Sequence, residues 1–297
     1  MANLKEVKNR ISSVNSTQQI TKAMKMVAAA KLKRAQDKIT QMRPYSERLS
    51  KVIRNVSAGI SEDVENQYAR PANGGRVLLV VITSDRGLCG GFNSSVFKST
   101  QQRISEKYSE ELANDDLYIM PIGKKSYEYF KKRDFLIVDS YYGMFNGLSF
   151  DKAREAAEFA MDEFVAQRFD KVEIIYNQFK NVATQVVVSE QFLPVKQQEE
   201  AKEVTNKGNV VDYLYEPSEE FIFQEVVPKS LKIQFYKTIL ESNAAEHGAR
   251  MTAMDKATDN AGELLKELRL TYNRTRQAAI TKEILEIVGG AEALAAD

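Results

Sequence analysis

The feature that most constrains this chain is a stripe near its N-terminus that recurs at alternating steps of three and four residues. It runs through Leu4, Val7, Ile11, Val14, Gln18, Thr21, Lys25, Ala28, Leu32, Ala35, Ile39, Met42, Ser46, Leu49, Ile53 and Val56, and twelve of these sixteen positions are apolar. A heptad seam of that length specifies one long helix that packs against another helix. Fifty-six residues would extend about 84 Å at 1.5 Å per residue. The seam weakens from Gln18 to Lys25, where Ile20, Met24 and Val27 offer an offset stripe. Pro44 should kink the helix or split it in two.

A matching stripe lies at the other end: Met251, Met254, Thr258, Ala261, Leu265, Leu268, Tyr272, Thr275 and Ala279, shifting afterwards to Ile280, Ile284, Ile287, Ala291 and Leu294. Of the six prolines, none falls between Lys229 and Asp297, which permits uninterrupted helix there. Two such helices at opposite ends of one chain bury their stripes most simply as an antiparallel coiled coil.

The middle has another period. RVLLVVIT (76–83), LYIMPIG (117–123), FLIVDS (135–140), KVEIIYNQF (171–179) and TQVVVSEQFLPV (184–195) read as strands. Helices are expected from about Ser94 to Tyr108, over GKKSYEYFKKR, and from Asp151 to Phe169, with Ala153, Ala156, Ala160 and Phe164 on one face. Strand alternating with helix implies a small, Rossmann-like α/β domain with a mainly parallel sheet. The expected organisation is therefore an N-terminal coiled-coil helix (1–57), an α/β domain (75–195), a polar connector (196–208) and a C-terminal coiled-coil segment (209–297).

Composition narrows the function. The 297 residues carry a net charge of +1, but residues 1–56 hold 13 Lys and Arg against 3 Asp and Glu. Lys22, Lys25, Lys31, Lys33, Arg34 and Lys38 cluster there, with no aromatic residue before Tyr45. Nucleic-acid arms interleave aromatics, so an acidic protein partner is the better match. One cysteine and one histidine exclude an intramolecular disulfide and a Cys- or His-rich metal site. No apolar run reaches membrane-span length, and the N-terminus lacks signal or transit character, so an intracellular location is expected.

No catalytic constellation emerges. RGLCGGFN (86–93) follows the first strand, where a phosphate loop would sit, but its glycines match neither dinucleotide nor P-loop spacing and no lysine follows. It reads as a shaped turn. Cys89 has no adjacent base, and His247, in NAAEHGAR, reads as a packing or surface residue. No cofactor or metal is expected.

Several strings, in order, resemble the gamma-subunit family of the rotary, F-type proton-translocating ATP synthase of bacteria: ITKAMKMVAAAKLKRAQ (20–36), TSDRGLCGGFN (83–93), DYLYEP (212–217), ARMTAMDKATDNAG (249–262) and ITKEILEIVGGAEA (280–293). The resemblance implies a non-catalytic central-stalk rotor. Its two long helices would turn inside a ring of three alpha and three beta subunits, driven by the membrane ring of c subunits, with the epsilon subunit alongside. Met24 would then pass the beta-subunit levers, with Lys22, Lys25, Lys31 and Arg34 facing their acidic loops. Arg276 and Gln277 would meet the catch loops, and Thr281, Glu283 and Glu286 belong to the terminal pattern. Tyr213, Tyr215 and Glu216 would form the foot on the c ring. The chain would bind no nucleic acid, would not span the membrane and would sit at its cytoplasmic face. A nucleotide-binding α/β enzyme with a helical oligomerisation arm, and a coiled-coil nucleic-acid adapter, are the alternatives.

Overall fold

A computed structural model describes residues 4–59, 67, 68, 70, 75–195 and 219–295. The element order is α1 (Leu4–Gly59), β1 (Val77–Ile82), α2 (Phe92–Lys107), α3 (Ser109–Ala113), β2 (Leu117–Ile122), α4 (Lys124–Lys131), β3 (Leu136–Ile137), a 3-10 turn (Asp139–Tyr141), α5 (Phe150–Val165), β4 (Lys171–Phe179), β5 (Gln185–Leu193) and α6 (Glu219–Ala295). Contacts divide the chain into two compact units, Met1–Ala28 with Met251–Asp297, and Ala29–Arg250.

In the first unit α1 and α6 run antiparallel. Gln18 Nε2 donates to the Thr258 carbonyl at 3.3 Å, the Thr21 and Thr258 hydroxyls meet at 2.8 Å, and Lys25 pairs with Asp255. Val7, Ala28, Met254, Ala261 and Leu265 are buried along the same seam. The weak stretch of the seam is therefore a polar layer whose members find partners across the helix pair, as buried polar groups must. The offset stripe does not form: Ile20 and Val27 are 59% and 57% exposed. Gly262 sits where the helices approach closely, since a Cβ there would lie 3.0 Å from Gln18 Nε2. From Ile280 to Ala291 every residue is exposed.

The second unit contains a five-stranded sheet of order β3-β2-β1-β4-β5, parallel except for β5. Both faces of the central strands are covered, so β1 is buried at all six positions and reads as a continuous apolar run. Val77, Leu79 and Val81 face Val96 and Ile104 of α2 and Phe130 of α4. Leu78, Val80 and Ile82 face Ala153, Ala156, Ala160 and Phe164 of α5 and Leu231, Phe235 and Ile239 of α6. Each fully buried Leu, Ile or Phe contributes roughly 1.5–3 kcal/mol. The alanine face of α5 lets that helix lie close to the sheet. Ser149 caps its start by accepting from the Lys152 amide, with Asp151 in the first turn.

Three local expectations are corrected. Pro44 does not split α1, which continues through it, and α6 likewise holds Pro228 inside it. Each proline removes one backbone bond, which many flanking turns outweigh. FLIVDS yields only two strand residues before the chain curls into the 3-10 turn, because β3 is an edge that pairs with β2 alone. The helix at 151–169 stops at Val165.

Candidate functional site

Two groups of residues stand out. The first is the outer surface of α1 and the C-terminal part of α6. Lys22, Lys31 and Arg34 are exposed, and Met24 is half-buried. Lys25 differs, because its ammonium is held by Asp255. Arg276, Gln277, Thr281, Glu283 and Glu286 are all exposed. Thr281 donates to the Gln277 carbonyl at 2.9 Å, and Glu286 pairs with Lys282 at 3.5 Å, so both are engaged within their own helix. Large apolar side chains lie open among them: Met26, Leu270, Ile284, Leu285 and Ile287 are each more than half exposed. Dispersed among charged residues, these side chains are open to contact with a partner. Tyr213, Tyr215, Glu216 and the connector 196–208 lie outside the described residues.

The second group surrounds the glycine loop after β1. Open α/β sheets bind ligands outside the carboxyl ends of their strands where the winding reverses, here between β1 and β4. In this chain α6 occupies that crevice. Cys89, Phe92 and Ala245 form a buried cluster with Phe179 and Ala249. The Asn177 side-chain amide donates to the Phe92 carbonyl at 3.0 Å.

Arg250 of α6 completes the joint. Its Nη1 lies 2.5 Å from Glu246 and 3.3 Å from His247 Nδ1, while its Nη2 donates to the carbonyls of Arg86 and Gly87 at 3.0 and 3.4 Å. The loop thus offers carbonyl acceptors to a guanidinium, whereas a phosphate cradle offers N–H donors. Ser84 and Asn93 hold the loop in shape: the Ser84 amide donates to Asn93 Oδ1 at 3.0 Å and the Ser84 hydroxyl to the Arg86 carbonyl at 2.7 Å. Gly90 and Leu88 both take positive φ, and Leu88 is 66% exposed.

The ionisation states fit packing roles. Burial, followed by the charges of Arg250 and Lys31, depresses His247 to about 4, so it is neutral at pH 7. Burial raises Glu246, and the neighbouring Arg250 and Lys31 oppose that shift. Burial also raises the Cys89 thiol, which disfavours the thiolate a nucleophile needs. Among the described residues no group of three or more potential metal ligands occurs, and no helix is long and apolar enough to cross a membrane.

Reasoning from sequence missed Arg250, Glu246, Ser84 and Asn93. Arg250 lies within the string ARMTAMDKATDNAG, yet no spacing rule ties it to a loop more than 160 residues earlier.

These features define a class of protein in which an antiparallel helix pair accompanies an α/β unit whose usual ligand crevice is filled by the chain's own helix. The comparisons with known proteins specify it. A family model described as ATP synthase matches residues 3–294. The ATP synthase gamma chains of Cytophaga hutchinsonii and Flavobacterium psychrophilum are 56% and 51% identical over 294 residues, covering 99% of each chain. The chain belongs to the ATP synthase gamma chain family. A central-stalk and c-ring structure of the Tetrahymena thermophila mitochondrial ATP synthase is similar at 27% identity and TM-score 0.56, covering 80% of this chain and 99% of that one. A rotor structure of the Euglena gracilis enzyme shares the fold, with TM-score 0.61 at 19% identity over 93% of this chain and 98% of its own.

Proposed function

We propose that this gamma chain is the rotating central stalk of its ATP synthase. It couples ion-driven turning of a membrane ring of c subunits to the conformational cycle of catalytic beta subunits. It catalyses nothing itself and works at the cytoplasmic face of a bacterial membrane, held there by its partners. The observation that carries the reading is the antiparallel seam of α1 and α6: it covers the stripe of α1 and that of α6 from Met251 to Ala279, and leaves cations and the apolar residues from Ile280 to Ala291 facing outward. A shaft needs that stiffness, and a surface that must slide gains from dispersed contacts rather than one large apolar patch.

Within this reading Met24, Lys22, Lys31 and Arg34 face acidic lever loops of the beta subunits. Arg276 and Gln277 meet polar catch loops, and Thr281, Glu283 and Glu286 lie on the segment that turns in an apolar collar. Tyr213, Tyr215 and Glu216 form the foot on the c ring, beside the epsilon subunit. Long-range attraction between the cations and acidic loops supplies contact with little friction. Lys25 contributes less, since Asp255 already neutralises it.

The test is ATP-driven proton pumping in vesicles carrying the assembled complex. Neutralising Lys22, Lys31 and Arg34 together to glutamine should lower pumping per ATP hydrolysed, while Lys25→Gln should change it less. Unchanged pumping in a fully assembled triple variant would refute the electrostatic part of the reading.

A further inference from the structure

The positive charge of the α/β domain is concentrated on one short helix, α4, and the two residues that follow it. Residues 75–195 contain fifteen Lys and Arg against seventeen Asp and Glu, yet residues 124–133 hold five of those cations and a single acid. Lys124, Lys131, Lys132 and Arg133 are exposed, and among the described residues none of the four takes part in an ion pair. Lys125 is the exception, pairing with Glu128 at 2.6 Å. A face that serves solubility alone usually mixes its signs.

Aromatic rings fix two of these cations. The Arg133 guanidinium lies 3.7 Å from the Tyr129 ring centre and donates to the Tyr129 carbonyl at 3.0 Å. Tyr129 in turn stacks on Phe97 of α2 at 3.9 Å. The Lys131 ammonium donates to the Tyr127 hydroxyl at 2.8 Å, and Tyr127 stacks on Tyr142 at 4.5 Å. Side chains already held in place lose less rotamer freedom when they engage a partner, so Arg133 is preorganised for carboxylates, whereas Lys131 is turned to the Tyr127 hydroxyl.

We propose that the outer face of α4, with the Lys132–Arg133 turn at its C-terminal end, docks a carboxylate-rich polypeptide segment of a neighbouring subunit, an inference that rests on the assembly reading above. A lipid surface fits less well, because residues 124–133 present no exposed large apolar side chain to enter the acyl layer. A nucleic acid fits less well too. Tyr127 and Tyr129 are engaged by Tyr142 and Phe97, and by Lys131 and Arg133, which leaves little ring surface for stacking bases. Asp134 and Asp139 border the groove beside Lys131 on the β3 side. The docked carboxylates therefore lie over Lys124, Lys132 and Arg133.

The experiment uses the membrane-embedded holoenzyme with a photoreactive benzoyl-phenylalanine replacing Glu128. After illumination the adduct is mapped by mass spectrometry. The proposal predicts an adduct on a polypeptide stretch in which at least half the residues are Asp or Glu. Its yield should fall at least tenfold in a Lys132→Glu/Arg133→Glu background and hold in a Lys180→Glu control. An adduct on lipid, on nucleic acid or on a segment without excess carboxylates would overturn it. So would the absence of any adduct from complexes that pump protons normally. Failure of the labelled and unlabelled chains alike to enter the complex would instead count against the stalk reading.

Discussion

Replacing Arg250 with alanine should be among the most damaging changes to the α/β unit, and its cost follows from what the guanidinium leaves behind. Arg250 and Glu246 side chains are 12% and 9% exposed and pair at 2.5 Å. Removing one member of a buried pair strands the other charge, typically at about 3–5 kcal/mol. The Gly87 carbonyl also loses this donor, and the Arg86 carbonyl keeps only the Ser84 hydroxyl and the weak Cys89 thiol. Because burial already raises Glu246 and Arg250 opposes that shift, the variant's carboxyl should rise further. A carboxyl whose folded pKa exceeds its unfolded value costs stability above that folded value and costs nothing below the unfolded one. The penalty of Arg250→Ala should thus be largest at neutral pH and shrink toward pH 4. Adding Glu246→Gln should recover about 2 kcal/mol or more, a coupling visible in a double-mutant cycle. The assay is urea denaturation of the full chain at pH 7 and pH 5. An Arg250→Ala variant within about 0.5 kcal/mol of the parent, or a double variant no better than the single, would refute the reasoning.

Other perturbations test other parts of the structure. His247 sits at about 4 in the fold against 6.5 for the free side chain, so it contributes stability in full above pH 6.5 and loses it as pH falls toward 4. His247→Gln should therefore abolish roughly 2 kcal/mol of the stability decline between pH 7 and pH 5, read by chemical denaturation at both values. Gly123 has φ 103°, and a Cβ there would lie 2.2 Å from the Thr83 carbonyl oxygen; Gly123→Ala should cost about 2–5 kcal/mol in the same assay. Glu173, 1% exposed, accepts from Arg103 Nε at 3.0 Å and the Tyr108 hydroxyl at 3.2 Å. Burial would raise its pKa, but the Arg103 hydrogen bond and charge prevail and lower it. Glu173→Ala should cost about 3–5 kcal/mol and loosen α2 from the sheet, seen as faster amide exchange across Ser94–Lys107.

Much of the architecture was legible in the sequence because it follows from period alone. The stripe from Leu4 to Leu49 is half-buried or buried wherever its side chains are described, and so is the stripe from Met251 to Ala279. A three-four step has one physical solution, a helix face against another helix. The alanine face of α5 was legible for the same reason. Pairing was not legible. Gln18, Thr21 and Lys25 look like a defect in the seam until Thr258 and Asp255 are placed opposite them. The antiparallel entry of β5 depends on the turn at 180–184, where Asn181 Oδ1 accepts from the Ala183 and Thr184 amides at 3.0 and 2.7 Å. The role of the glycine loop was legible only negatively. Its missing lysine excluded one chemistry, but nothing local announced that Arg250 would be its ligand.

A chain that turns as a shaft can be watched turning. Cys89 is 2% exposed and cannot carry a probe. A Cys89→Ser/Glu110→Cys chain places a single thiol on the exposed position 110. It would be assembled with its alpha and beta subunits, the ring fixed to glass and a bead attached through that thiol. On adding ATP, a rotating stalk should carry the bead stepwise in one direction. Complexes that hydrolyse ATP while their beads only fluctuate would contradict it and leave a static scaffold.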